Sequence, residues 1–507
     1  MCNLVKVRWK TVIQILGAAA LLTGLSACTD QSSSKPEPKS EKASLSDDTE
    51  KNVTKKEQAL KNNIKLSNIR GTVRQNIDFS VNELEPNKPV KLIWMTMDGS
   101  YNIKDLYEVI GPEFKEREVV LAEGTSDANG NWNGSFKVPE GFGGDMTIYV
   151  VSMDNRIGQT AFTLDPSFTM SPESGPVGTE ITIKVEGLGW STYMRNWQLT
   201  YDNKYTGLVS AIATNGTAEA KIRAAGSVGK HAIRLRTGYL GMQYINYLQS
   251  PYPDKPAPDF LFEVTNSTSV KESYVEPTPT AANGGVKMPE LKNKSSVELE
   301  LDRSEGTVGE PVKLTAAGLP KNKEVDIIWN TMKGSRVSGL GFAEHSTKLH
   351  TLKTDHDGNL VYDFPVPDDL GGIPHRIDLK VGDEVYGQEY LRILPSIVNI
   401  SPTSGPVGTK IQVTIKGGGW TEFDNAYYLT YDNAYTGYLC AFNSQGDLTF
   451  DVVATGEPGF HVIDLYPGIY KQKEKDTDMT LIPQLTYSTD HPGSAMPAIR
   501  LGFKVTE

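Results

Sequence analysis

The sequence predicts an all-β protein built as four related domains of about 100 residues in an A-B-A-B duplication. Three observations lead there. The stretch SPESGPVGTEITIKVEG, Ser171 to Gly187, returns 230 residues later as SPTSGPVGTKIQVTIKG, Ser401 to Gly417. Of the 37 positions from Ser171 to Gly207, 20 are identical in Ser401 to Gly437, so the match is not chance. In both copies a Pro/Gly-rich turn runs into period-two alternation. Ile181, Ile183 and Val185 stand against Thr182, Lys184 and Glu186, and Ile411, Val413 and Ile415 against Gln412, Thr414 and Lys416, the pattern of a half-buried strand.

The elements follow in order. Lys6, Arg8 and Lys10 precede an apolar run from Val12 to Leu25, and Leu25-Ser26-Ala27-Cys28 closes it. This resembles a bacterial lipobox, which implies a signal peptide over 1–27, cleavage before Cys28 and lipidation of its thiol. The apolar run is shorter than the roughly 20 residues of a membrane span, which weighs against an uncleaved anchor. Loss of 1–27 removes three positive and no negative charges, moving the net charge from −11 to −14. From 28 to 64 the chain is polar and charged, and such a segment cannot bury enough surface to offset its ordering entropy, so a disordered stalk is expected.

Residues 65–165 (A1) carry short β-type runs and a turn, Asp127 to Trp132, that reads as a tight hairpin; 166–265 (B1) begin at the repeated motif. A Pro/Gly-rich stretch, 266–296, reads as a flexible linker between two halves. The second half repeats the first: 297–394 (A2) has Trp329-Asn330-Thr331-Met332 for Trp94-Met95-Thr96-Met97, and 395–507 (B2) has the second motif.

The run S-P-x-S-G-P-V-G-T, alternating apolar residues and then Gly-x-Gly-Trp resembles the start of an IPT/TIG-type immunoglobulin-like domain, most clearly over 171–265 and 401–506. The resemblance implies tandem two-sheet immunoglobulin-like sandwiches on a bacterial surface lipoprotein, serving as spacers, adhesive modules or accessory domains. Together with Cys28 it places the chain on the extracytoplasmic face of a bacterial membrane, the outer membrane if the host is Gram-negative.

The acidic balance, 51 Lys plus Arg against 62 Asp plus Glu, argues against a nucleic-acid partner, because phosphate backbones call for a basic surface. No G-x-S-x-G elbow, Walker loop or H-E-x-x-H occurs, so no enzyme and no cofactor is expected. His231, His375 and His461 recur at one repeat position, each with apolar residues two and four places on, and are read as structural, in the manner of the tyrosine corner, rather than as metal ligands. His345, His350 and His356 lack the spacing of a zinc set, and the Asp127 and Asp355 turns lack a calcium loop's full ligand run, so no metal is expected. Cys440, where the first copy has Ser210, reads as a small buried hydrophobe.

Two sets of aromatics are candidates for contact with a protein or a cell-wall glycan. The first is Trp190, Tyr201 and Tyr205 with Trp420, Tyr431 and Tyr435, around the hairpins LTYDNKYTG and LTYDNAYTG. The second lies in the long, divergent segments before each B domain's last strand: Tyr239, Tyr244, Tyr247 and Tyr252, and Tyr466, Tyr470 and Tyr487. Against this stands packing of the same side chains, and against a binding role stand a structural spacer and an accessory subunit of an exported enzyme complex.

Overall fold

The computed structural model describes residues 60–507 except 105–107, 192–193, 240–241, 244, 247–257, 268–272, 280–287, 336–340, 420–425, 469–482 and 492–495. Cys28 and the expected stalk as far as residue 59 lie outside the described residues. So do Trp420, Tyr244, Tyr247, Tyr252 and Tyr470, and the side chain of Tyr239. Ile64, the last residue of the expected stalk, is instead buried at the start of the strand Ile64–Leu66.

The fold is all-β, in tandem sandwiches that share one plan: a three-stranded sheet faces a larger one, of five strands in A1 and A2 and of six in B1 and B2. In B1 the small sheet joins Ser167–Ser171, Glu180–Glu186 and Ala218–Arg223, and the large one contains Trp197–Tyr201, Lys204–Val209, Gly229–Tyr239 and Asp259–Val264. In B2 the corresponding strands are Ser396–Ser401, Lys410–Lys416 and Leu448–Val453, then Ala426–Tyr431, Ala434–Cys440, Gly459–Pro467 and Ile499–Thr506. Each sandwich adds a short parallel strand beside its last strand: Arg70–Gly71 on Thr163–Leu164, Ser174–Gly175 on Glu263–Val264, Glu305–Thr307 on Arg392–Leu394 and Ser404–Pro406 on Lys504–Thr506. This closing pair shows the internal symmetry of each half in backbone terms.

Alternation does what the pattern implies. Ile181, Ile183 and Val185 are fully buried, as are Ile411, Val413 and Ile415, and each triplet faces the large sheet of its own sandwich. Within each half the A and B sandwiches meet through paired glycines. Gly143 N–H donates to Leu188 O at 2.9 Å, and Gly371 N–H to Gly418 O at 2.6 Å. A Cβ on Gly143 or Gly371 would lie 2.0 Å from the carbonyl oxygen of Gly187 or Gly417, so only glycine permits this approach.

Three expectations need correction. The Asp127 and Asp355 turns are not hairpins, because the strands they join, Glu108–Thr125 to Trp132–Lys137 and Gly341–Lys353 to Leu360–Pro365, belong to opposite sheets. Each is held by its Asp: Asp127 Oδ1 accepts from the amides of Asn129 (2.8 Å) and Asn131 (2.7 Å), and Asp355 Oδ1 from those of Asp357 (2.8 Å) and Asn359 (2.7 Å). The amide bonds, that of Asn131 foremost, hold the Asp127 carboxyl below the ordinary carboxylate value.

The 266–296 stretch is not free where it is described. Tyr274–Val275 pairs with Ile499–Arg500 as an added strand of B2, and Glu276 N–H donates to Ala498 O. On the A2 side, Lys292 N–H donates to Gln388 Oε1 and Tyr390 Oη to Pro289 O. Its polar residues find strand edges to bond, which composition does not reveal. Cys440, finally, is exposed rather than buried.

Candidate binding surfaces and the junction between the repeats

The hairpin Tyr201-Asp202-Asn203-Lys204 forms as its sequence suggests, with Tyr201 paired to Lys204 and positive φ at Asp202 (49°) and Asn203 (63°); Asp432 (46°) and Asn433 (60°) repeat it. Its role is internal. Tyr201 Oη donates to Ala225 O at 2.7 Å and Tyr431 Oη to Thr455 O at 2.9 Å, each also accepting from an amide of the same strand-to-strand corner. The tyrosine-corner bond therefore belongs to these tyrosines and not to the histidines, which stack on them at 5.5 Å (His231) and 5.6 Å (His461) between ring centres.

His231 Nδ1 meets Asp202 Oδ2 at 2.6 Å and its Nε2 meets Ser227 O at 2.7 Å; His461 meets Asp432 (2.6 Å) and Glu457 O (2.8 Å) in the same way. For His461 desolvation favours the neutral ring, but the hydrogen bond and charge of Asp432 outweigh it and the pKa is raised. His375 departs from this geometry: it stacks on Trp329 at 4.5 Å and faces the carbonyls of Asn330 and Leu370. His350 stacks on Tyr362 at 5.4 Å.

The candidate aromatics thus divide. Tyr201, Tyr466 and Tyr487 are buried, which assigns them to the interior rather than to a contact surface. Tyr205 donates to Gln198 Oε1 at 2.7 Å and meets Tyr435 edge-on at 6.4 Å, so these two rings face each other across the two halves. Trp190 is 36% exposed; its ring lies 5.9 Å from that of Phe114 in A1, over which Arg195 also lies at 5.6 Å. Arg195 Nη1 donates to Trp190 O at 3.0 Å and fixes the group. Phe114 and Arg195 were not among the sequence candidates, since only the fold brings 114 beside 190.

The most elaborate constellation escaped the sequence reading: the junction of B1 with B2. The outer face of the B1 strand Ala218–Arg223 lies on the outer face of the B2 strands Gly459–Pro467 and Ile499–Thr506. Arg223 and Asp464 are 1% and 0% exposed at the side chain, with Arg223 Nη2 2.6 Å from Asp464 Oδ1. Arg223 also donates to Leu501 O, and Arg500, likewise buried, pairs with Glu276 at 2.6 Å and lies 3.3 Å from Asp464. Two cations and two carboxylates cancel within one buried seam. Arg500 also lies 4.6 Å from the Tyr466 ring centre. Asn433, at the tip of the second hairpin, is fully buried and donates to Arg223 O at 2.7 Å.

A second contact extends this seam. The B2 segment around Pro483–Asp490 enters the opening between the B1 strands Lys204–Val209 and Ala218–Arg223. Leu208 N–H donates to Pro483 O (2.7 Å), Leu485 N–H to Leu208 O (2.8 Å) and Lys221 N–H to Leu485 O (3.4 Å). Leu485 is 3% exposed and joins the B1 core. Asp490 accepts from Ser210 Oγ and Ala213 N–H, both at 2.7 Å, and from Tyr101 Oη of A1 at 3.2 Å. Burial raises the Asp490 pKa despite these donors, and it also raises that of Tyr101.

No family model matches this chain, and no curated protein matches it either. Solved structures align over most of its length at low similarity. Salmonella alpha-2-macroglobulin reacted with methylamine aligns over 86% of this chain and 30% of its own, with 10% identity and a TM-score of 0.18. A tetra-tandem repeat in the extending region of a large adhesion protein aligns over 87% and 99%, with 8% identity and a TM-score of 0.18. The ICAM-5 D1–D4 ectodomain fragment aligns over 87% and 99%, with 11% identity and a TM-score of 0.17. The chain spans less than a third of the alpha-2-macroglobulin it matches.

Proposed function

We propose that this chain is a non-enzymatic binding or adhesion module, tethered through lipidated Cys28 on the extracytoplasmic face of a bacterial membrane, for a protein or a cell-wall glycan. The observation that supports it best is the exposed Trp190, held against Phe114 and Arg195 at the seam of A1 with B1. Aromatic and Arg side chains fixed in place lose little conformational freedom on contact, which is why they dominate binding energy at interfaces.

The spacer reading fits less well. Four sandwiches in file would reach further than two pairs docked through Arg223, Asp464 and Asn433. Lipidation rests on the Leu25-Ser26-Ala27-Cys28 run alone. Cys28→Ala should leave the chain unprocessed or release it from the membrane fraction. Trp190→Ala should weaken capture of a glycan array or crosslinked partner by tenfold or more, since a true anchor contributes roughly 2 kcal/mol or more; unchanged capture with unchanged melting would remove this surface from consideration.

A further inference from the structure

The two B sandwiches differ at one place in what fills them. In B1 the opening between the edge strands is closed by Pro483–Leu485, and a Cβ added to Gly207 would meet Pro483 O at 2.6 Å and Leu485 Cγ at 2.9 Å. In B2 the equivalent opening lies between Ala434–Cys440, the outer strand of its sheet, and Leu448–Val453. It is a cleft of about 710 Å³ walled by Leu429, Leu439, Phe450 and Val452. Among the described residues nothing lies within 4 Å of the Cβ position of Gly437, the counterpart of Gly207. Its backbone has no positive φ to call for glycine, and the close approach that explains Gly207 is missing here among the described residues.

The rim is exposed and mixed, with two apolar side chains beside Lys204, Thr436 and Asp451. Tyr438 is 50% and Val453 49% exposed, where the first copy has Leu208 and Arg223, both engaged by B2. Lys204 of B1 also lines the cleft, so it continues the established B1–B2 seam.

We propose that this cleft receives an extended segment of another polypeptide, added beside the outer strand at Gly437 with one Leu-sized side chain inserted between the sheets. The Pro483–Leu485 segment in B1 is the intramolecular prototype, and strand addition supplies backbone hydrogen bonds while the pocket selects the side chain. The walls set the preference. Phe450 and Cys440 stand where B1 has Ala220 and Ser210, and the Cys440 thiol is a far weaker donor to an Asp490-like carboxylate than the Ser210 hydroxyl, so the incoming strand is apolar at the place where the B1 segment carries Asp490. This inference rests on the binding reading above and names its site and partner class.

The probes are two synthetic peptides, one with the sequence of residues 482–491 and one with its Asp490 position as Ala. The readout is alkylation of Cys440 in the full-length chain, located by peptide mapping, because the counterpart of Cys440 touches the segment that fills B1. Saturating peptide should slow Cys440 alkylation at least fivefold, more at lower concentration for the Ala peptide. Gly437→Leu, which fills the cleft, should abolish protection with melting unchanged, and Val453→Arg at the rim should weaken it.

No protection by either peptide at millimolar concentration, or protection that survives Gly437→Leu, overturns the proposal. Protection by dodecyl maltoside but by neither peptide also overturns it and assigns the cleft to lipid. The readout uses purified chain alone, so peptide protection combined with no loss of capture in Trp190→Ala keeps the cleft and discards only the Trp190 surface.

Discussion

The two B sandwiches share a backbone plan and differ in what their outer faces carry. In B1 the strand Gly229–Tyr239 buries one face, and on the other Arg234 pairs with Asp259 across to the last strand, both in contact with solvent. In B2 the same register holds Asp464 opposite Arg500, the charges exchanged, and the strand is buried on both faces. The exchange makes docking possible: an Arg-bearing B1 strand meets an Asp-bearing B2 face, whereas Arg234 at that place would have met Arg223 as a like charge. The difference teaches that duplicated sandwiches associate here through a few substitutions on faces that the fold leaves unconstrained.

The largest expected effect tests that comparison directly. Asp464→Ala leaves Arg223 and Arg500 buried without their shared carboxylate, and breaking such a pair costs about 3–5 kcal/mol. Arg234→Ala at the corresponding place in B1 removes an exposed pair contributing about 0–1 kcal/mol. Urea melts of both variants should separate clearly; equal losses would show that the seam is not what stabilises the docked halves. Asp464→Ala should also expose the 266–296 stretch to limited proteolysis.

Leu485→Ala comes next. It empties the B1 core from a residue of B2 and should cost about 2–5 kcal/mol, as large-to-small core changes do. Loss should appear in B1 amide exchange, at Ala220 and Ile222, and an effect confined to B2 amides would contradict the assignment. Smaller again is Gly207→Ala, which pushes a methyl into Pro483 O and should cost about 1–3 kcal/mol, while Gly437→Ala should be near neutral. Parallel thermal melts of the two variants decide this.

The smallest effect is one of pH. The His461 pKa is raised in the folded state above 6.5, so its pair with Asp432 contributes fully below the unfolded value and that contribution fades as pH rises through the folded one. His461→Gln should flatten the stability profile in that window. A variant profile as steep as the parent's would assign the slope to another group.

Much of this was legible in the sequence. Alternation around Ile181 and Ile411 placed the strands, and Asp202-Asn203 and Asp432-Asn433 placed the hairpins, because strand faces and positive-φ turns are local properties. The junction was not legible. Arg223, Asp464 and Arg500 read as ordinary strand charges on an acidic surface, and only docking removes their solvent. Tyr466 and Tyr487 were misplaced for the same reason, since a divergent loop reads identically whether it meets a partner or fills its own chain. The Asp127 and Asp355 turns misled because an Asx turn uses the same residues whether the next strand pairs or crosses to the other sheet.

The segment that completes B1 arrives about 275 positions after the strand it pairs with, as Leu208 with Leu485 shows. A chain synthesised from its N-terminus must therefore carry an unfinished second sandwich until residues 483–490 have emerged. Contacts of such sequence separation close slowly, because loop entropy must be lost before they contribute. During that interval the apolar edge of B1 is open to any extended chain nearby, including a neighbouring copy's Pro483–Asp490, so concentration during folding would decide between a self-sealed monomer and exchanged dimers. Refolding across a range of protein concentrations, followed by size-exclusion chromatography, would show this as a dimer fraction that rises with concentration and vanishes in Leu485→Asp.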